Sequence, residues 1–285
     1  MSAQIAALEP PDGPLGSVPP GSAPRPRSAL RSVLVPTEHG GWGLTLEPVL
    51  LALIIAPSWA GAGLGLAAVM LFLARTPFKI LLVDAHRHRR LPRTRLAGGA
   101  VGCYALALAG CAAVVLLRAP GASWLPLVLV APLVSTELWF DMRSRGRRLA
   151  PELAGAIGVA GVATMIVLAA GKPVAIAIAC WMLLAARAAT SIVSVRDQVQ
   201  GLHGRPRQPA TVWLGDVAAL SLAIGAALVE PAATAGAVAI GGLIITQRLL
   251  TLRPTPRAVI LGLTQTGLGL TIVAIAALGI LRAPT

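Results

Sequence analysis

Apolar residues fall in long runs along this chain, at about 43–57, 60–83, 97–117, 122–140, 152–171, 173–194, 210–229, 232–250 and 258–281. Runs near 20 residues match the length a helix needs to cross the hydrocarbon core of a bilayer. The pattern predicts nine helices. Connections at 57–60, 118–122, 171–173 and 229–232 are tight, and each carries Pro or Gly. The connections between these are longer and polar. The first run is short and is interrupted by Glu47-Pro48, which predicts a kink there or a backward extension through Trp42. The expected fold is all-α, a polytopic transmembrane helical bundle forming one domain over 34–285. A Pro-rich stretch at 1–33 precedes it and lacks the apolar segment of a signal peptide, so it reads as a disordered cytoplasmic tail.

Composition strengthens the membrane reading. Hydrophobic residues make up 56% and charged residues 12% of the 285, against about 25% charged in soluble domains. The net charge of +13 does not point to nucleic acid, because such binding needs Lys and Arg gathered on one accessible face. Here they sit in short loops. Eighteen of the 24 lie in the N-terminal tail and the alternate loops at 84–96, 142–151, 195–209 and 248–257. Arg118, Lys172 and Arg282 alone occupy the opposite side. This bias predicts a cell-membrane protein with a cytoplasmic N-terminus and an external C-terminus.

Tryptophan placement agrees with that threading. Trp42, Trp139 and Trp213 fall at inner helix ends and Trp59 and Trp124 at outer ones, as an aromatic belt requires, and Trp181 sits deep. Cys103, Cys111 and Cys180 all lie in apolar runs and read as small buried hydrophobes rather than redox or metal groups. The spacings Gly98/Gly102 and Gly155/Gly158/Gly161 predict close helix packing.

The candidate chemistry collects on the inner side. Pro36-Thr37-Glu38-His39-Gly40-Gly41-Trp42-Gly43 puts an acid and an imidazole where the chain meets lipid, which no folding need requires. Glu38 and His39 are the candidate general base and acid, since His titrates near neutral pH. Arg75 and Lys79 are i, i+4 neighbours near the end of the second helix, with Asp84 following. Glu137 and Asp141 share a face near the end of the fourth, as two oxygen donors for a divalent cation or as an interfacial pair balanced by Arg143 and Arg145. Arg187, Ser191, Ser194 and Gln198 form a polar stripe that ends beside Arg196-Asp197. Asp216, Gln247 and Arg248 add polar groups on the last helices, and Asp216 has neighbouring arginines with which to pair.

The motif Pro36, Glu38, His39, Gly40 and Trp42 resembles the Pro-x-Glu/Gln-His-Gly-x-Trp signature of the YwiC-like family of bacterial membrane proteins. That resemblance implies an architecture, with the motif at the head of a helical bundle. More weakly, the layout is similar to the UbiA-type intramembrane prenyltransferases, which bind magnesium diphosphate through acid-rich motifs after helices two and six. The matching places here hold Asp84 and Asp197, and the Asn-Asp-x-x-Asp pattern is absent.

The leading expectation is a cytoplasm-facing polar cavity for an amphipathic, anionic-headed lipid or prenyl substrate. Its head would meet Arg75, Lys79, Arg187 and Arg196, with Asp84, Glu137, Asp141 and Asp197 alongside. The alternative is a transporter or exporter without catalysis, with Arg187, Asp216 and Glu47 on a gated path.

Overall fold

A computed structural model describes residues 39–88, 91–143 and 148–283, with the side chains of His39, Gly40, Asp141 and Met142 outside the description. The N-terminal stretch read as a disordered tail, and Glu38 with it, lie outside the described residues. Those described form nine α-helices and no strand. They are α1 (His39–Ile55), α2 (Trp59–His86), α3 (Pro92–Arg118), α4 (Leu127–Met142), α5 (Leu149–Ala169), α6 (Val174–Leu202), α7 (Pro209–Val229), α8 (Thr234–Thr251) and α9 (Ala258–Arg282). Short 3₁₀ turns at Gly121–Trp124 and Pro231–Ala233 lead into α4 and α8. Eight spans, from α2 to α9, are long and apolar enough to cross a membrane, and α1 is shorter. The chain is a multi-pass membrane protein.

Local chemistry sets the helix ends. The Ser58 hydroxyl accepts the Gly61 N–H at 2.9 Å and starts α2. Pro92 and Pro209 stand in the first turns of α3 and α7, where a missing N–H costs nothing. Gly171 and Gly204 stop α5 and α6 with positive φ values of 71° and 67°.

Two helices run further than the apolar pattern predicts. α6 continues to Leu202, so Arg196 and Asp197 are helical rather than in a loop. Its polar stripe remains in register, and burying Ser194 and Gln198 against neighbours keeps the helix going. α3 begins at Pro92, because Thr94 accepts the Leu91 N–H at 3.1 Å and the start is tied to the end of α2.

α5 and α6 form the centre, with 67% and 72% of their spans buried against 11–33% for the other spans. Fully buried Ala177, Ala179 and Ala186 let neighbouring helices approach α6 closely. α1 packs on α5, α2 and α6 and also on α9, so the first helix joins the last. α2 and α4 both pack on α5 and touch each other little. The glycines of α5 bring it close to α4: a Cβ at Gly158 would sit 2.9 Å from Val134 Cγ2. Gly98 and Gly102 behave differently from the expectation, since Gly102 has no neighbour within 4 Å and Gly98 meets only Leu81, at 4.0 Å. Gly102 is exposed, and Gly98, half-buried, sits at the edge of the contact with α2. The deep Trp181 satisfies its indole by donating to the Ile157 carbonyl at 2.8 Å.

Candidate functional site

Near the middle of α6, Arg187 meets Glu47 of α1. Its Nη2 donates to Glu47 Oε1 at 2.9 Å and to the Gln265 carbonyl of α9 at 2.8 Å. Nε lies 2.8 Å from Glu47 Oε2, yet its N–H finds no hydrogen-bond partner. The proximity is therefore ionic, with the donor misaligned. Both side chains are sealed, at 5% and 2% exposure. Pro48, one residue on, removes the N–H that would bond the Leu44 carbonyl, a weak point in α1 beside the charge.

Gly269 makes the room. It stands one turn after Gln265, and the missing side chain leaves that carbonyl open to Arg187. A Cβ there would fall 2.6 Å from Arg187 Nη2 and closer still to the Glu47 carboxylate. Gly269→Ala is expected to cost about 1–3 kcal/mol as overpacking, read as a lowered unfolding temperature in detergent. Ala substitution at Gly267, which is in the same helix with nothing within 4 Å, is the matched control and is expected to hold or raise stability, by up to about 1 kcal/mol from helix propensity.

From the pair a hydrogen-bonded chain continues along α6. Gln247 of α8 donates its two amide hydrogens to Ser191 Oγ at 2.8 Å and Gln265 Oε1 at 3.3 Å. Thr190 donates to Asp216 Oδ1 of α7 at 2.6 Å, with Gln247 Oε1 3.1 Å from the same hydroxyl. Asp216 pairs with Arg248, as its neighbouring arginines suggested, and Arg248 lies over the Trp213 ring, 4.9 Å from its centroid. Further along α6, Gln198 donates to Ser194 at 3.3 Å, both buried. Five helices thus share one buried polar core containing two acids and Arg187, with part-exposed Arg248 at its edge.

A second intramembrane pair is open. Arg75 of α2 and Glu137 of α4 meet at 2.8 Å between the two helices, with side chains 32% and 21% exposed. Gly155 of α5 lies directly beneath, where a Cβ would overlap the Glu137 carboxylate. Phe72, one turn before Arg75, takes the Trp42 ring edge-on, with centroids 5.1 Å apart and planes at 74°. The glycine-tryptophan end of the opening motif therefore docks on the face of α2 that carries Arg75 and, one turn on, exposed Lys79.

The remaining candidates have assigned contacts. Asp84 is buried and accepts Arg93 Nη2 at 2.9 Å and Thr94 Oγ1 at 2.7 Å, clasping α2 to α3. Arg196 donates to Glu152 of α5 at 3.1 Å. Asp197 accepts the Gln208 N–H at 2.6 Å, at the start of α7. Among the described residues no group of three His, Cys, Asp or Glu gathers. His39 opens α1, but its side chain, like that of Asp141, lies outside the description.

The structure thus brings Arg75 to Glu137 and commits Arg187 to Glu47. Sequence reasoning placed Glu47, Arg187 and Asp216 on one path in the transporter alternative but did not pair Glu47 directly with Arg187, and it passed over Thr190, Gln265 and Phe72. Gln265 carried a usable signal, a lone amide within the apolar last helix.

Residues 35–170 match the family model described as YwiC-like protein, and the chain is YwiC-like over that span. The span covers α1 to α5 and includes Glu47, Arg75 and Glu137, but not Arg187. No curated protein and no solved structure matches the chain.

Proposed function

We propose that this YwiC-like membrane protein binds an amphipathic molecule with an anionic head in a cleft between α2 and α4. The head meets Arg75 and Lys79, and the tail lies against the apolar walls of the cleft. The observation that carries this reading is the Arg75–Glu137 pair, held at membrane depth yet left part-exposed. Arg75 stands 11 residues before the end of α2, about 16 Å by helical rise. A charge that deep faces a bundle interior, water or a ligand rather than lipid tails. Glu137 offsets the guanidinium when the cleft is empty, and an incoming phosphate or carboxylate competes for its donors.

The opening motif belongs to the same wall through Trp42 and Phe72. The place of Glu38 and His39 in the sequence, four and three residues before Trp42, supports them as the groups to act on a bound head, with a histidine able to exchange protons near neutral pH. Prenyl or other polyisoprenoid chains suit the long apolar walls. The excess of Lys and Arg in alternate loops supports placing this mouth at the cytoplasmic surface.

Native mass spectrometry of the protein purified in mild detergent tests the reading. An anionic amphiphile is expected to accompany the wild-type chain and to fall by about ten-fold in Arg75→Gln, the factor for losing roughly one charge-assisted bond. Retention by Arg75→Gln and Lys79→Gln equal to wild type would overturn it.

A further inference from the structure

The sealed pair and its polar chain are separate from the cleft and have a chemistry of their own. Arg187, Thr190, Ser191, Ser194 and Gln198 are all buried on α6. From Arg187 to Gln198 the stripe spans 11 residues, about 16 Å by helical rise, and it leads toward the end of the bundle with the basic loops. Arg248, 32% exposed, stands nearer that end. Beyond Arg187 in the other direction the interior turns apolar, with Leu183, Cys180, Leu51, Ile166 and Ile240 buried. Polar character therefore enters from one side and stops at Glu47–Arg187.

Charge balance limits what such a path admits. Glu47 faces Arg187 and Asp216 faces Arg248, so the core is electrically neutral. A solute carrying net charge would leave that charge uncompensated at depth, where charges are costly. A zwitterion or an uncharged polar molecule would not. Arg187 Nε lies against Glu47 Oε2 without an aligned hydrogen bond, so parting the pair frees a buried donor for such a solute. The break at Pro48 gives α1 a place to bend and part Glu47 from Arg187.

We infer that the α6 stripe and its partners form a second site, entered from the basic end and closed at Glu47–Arg187, that takes small net-neutral polar solutes and excludes charged ones. The site does not depend on the amphiphile cleft.

Thiol alkylation tests this directly. In the full chain carrying Cys103→Ala and Cys111→Ala, Ser194→Cys probes the stripe and native Cys180, fully buried two turns beyond Arg187, probes the seal. His203→Cys, exposed at the end of the same helix, supplies the reference rates. Iodoacetamide, a neutral polar solute, is expected to label Ser194→Cys while Cys180 stays inert. The iodoacetamide-to-iodoacetate rate ratio at position 194 is expected to exceed that at 203 on the order of 100-fold, matching the penalty for a net charge inside a membrane helix bundle. The inference is overturned if position 194 is as inert as Cys180, if Cys180 labels as fast as 194, or if the ratios at 194 and 203 agree. Amphiphile retention by Arg75 enters none of these rates, so either site can fail alone.

Discussion

Glu47→Ala or Arg187→Ala alone is expected to cost about 3–5 kcal/mol, because each leaves its former partner charged and buried. The two side chains are 2% and 5% exposed, so water does not replace the lost contact. Arg187→Ala also strips the Gln265 carbonyl of its extra donor. The double variant Glu47→Leu/Arg187→Met is expected to recover most of the loss, since apolar replacement of a whole buried pair is often neutral. Unfolding in detergent, run on both single variants and the double, reads the coupling. Losses that simply add in the double would show that the two residues do not act as a pair.

The second large effect is expected at the α2–α3 connection. Asp84 is 1% exposed and receives a charge-assisted bond from Arg93 and a hydroxyl bond from Thr94. Asp84→Ala is expected to cost about 2–3 kcal/mol, with the Arg93 share limited because that arginine is half in solvent. Thr94→Val is expected to cost less, about 1 kcal/mol, because one neutral donor is lost and the Arg93 bond survives. Hydrogen exchange across 87–94 should rise in Asp84→Ala and remain near wild type at α8. Uniform loosening of the whole bundle would mean that Asp84 supports more than this hairpin.

The helices were legible because membrane insertion writes them locally. An apolar run near 20 residues, bounded by Pro or Gly, determines a span without reference to any other part of the chain. Misplaced ends have a local cause too. Val195–Leu202 is too polar to read as a span, yet Ser194 and Gln198 find buried partners and the helix continues through it. Pairings were less legible. Glu47 and Arg187 each announced themselves as intramembrane charges, but 140 positions separate them, and no period or motif records that α1 lies against α6. Asp216 was easier, because arginines crowd the same end of the bundle. Arg75 and Glu137 were both picked out for binding, while their contact depends on how α2 and α4 seat on α5. The glycines divide in the same way: spacing alone could not tell Gly155 and Gly158, pressed against α4, from Gly102, which faces outward.

The meeting of the first helix with the sixth and the last has a consequence for how the protein is made. Translation at roughly 5–20 residues per second delivers Arg187 roughly 7–28 s after Glu47, given the 140 residues between them. Gln265 and Gly269 emerge later still. During that interval Glu47 has no native counterion, so the nascent first helix is a poor lipid-exposed segment and depends on its insertion machinery until α6 emerges. A chain halted between α5 and α6 would carry the Glu47 carboxylate without its native partner, since Arg187 lies on α6.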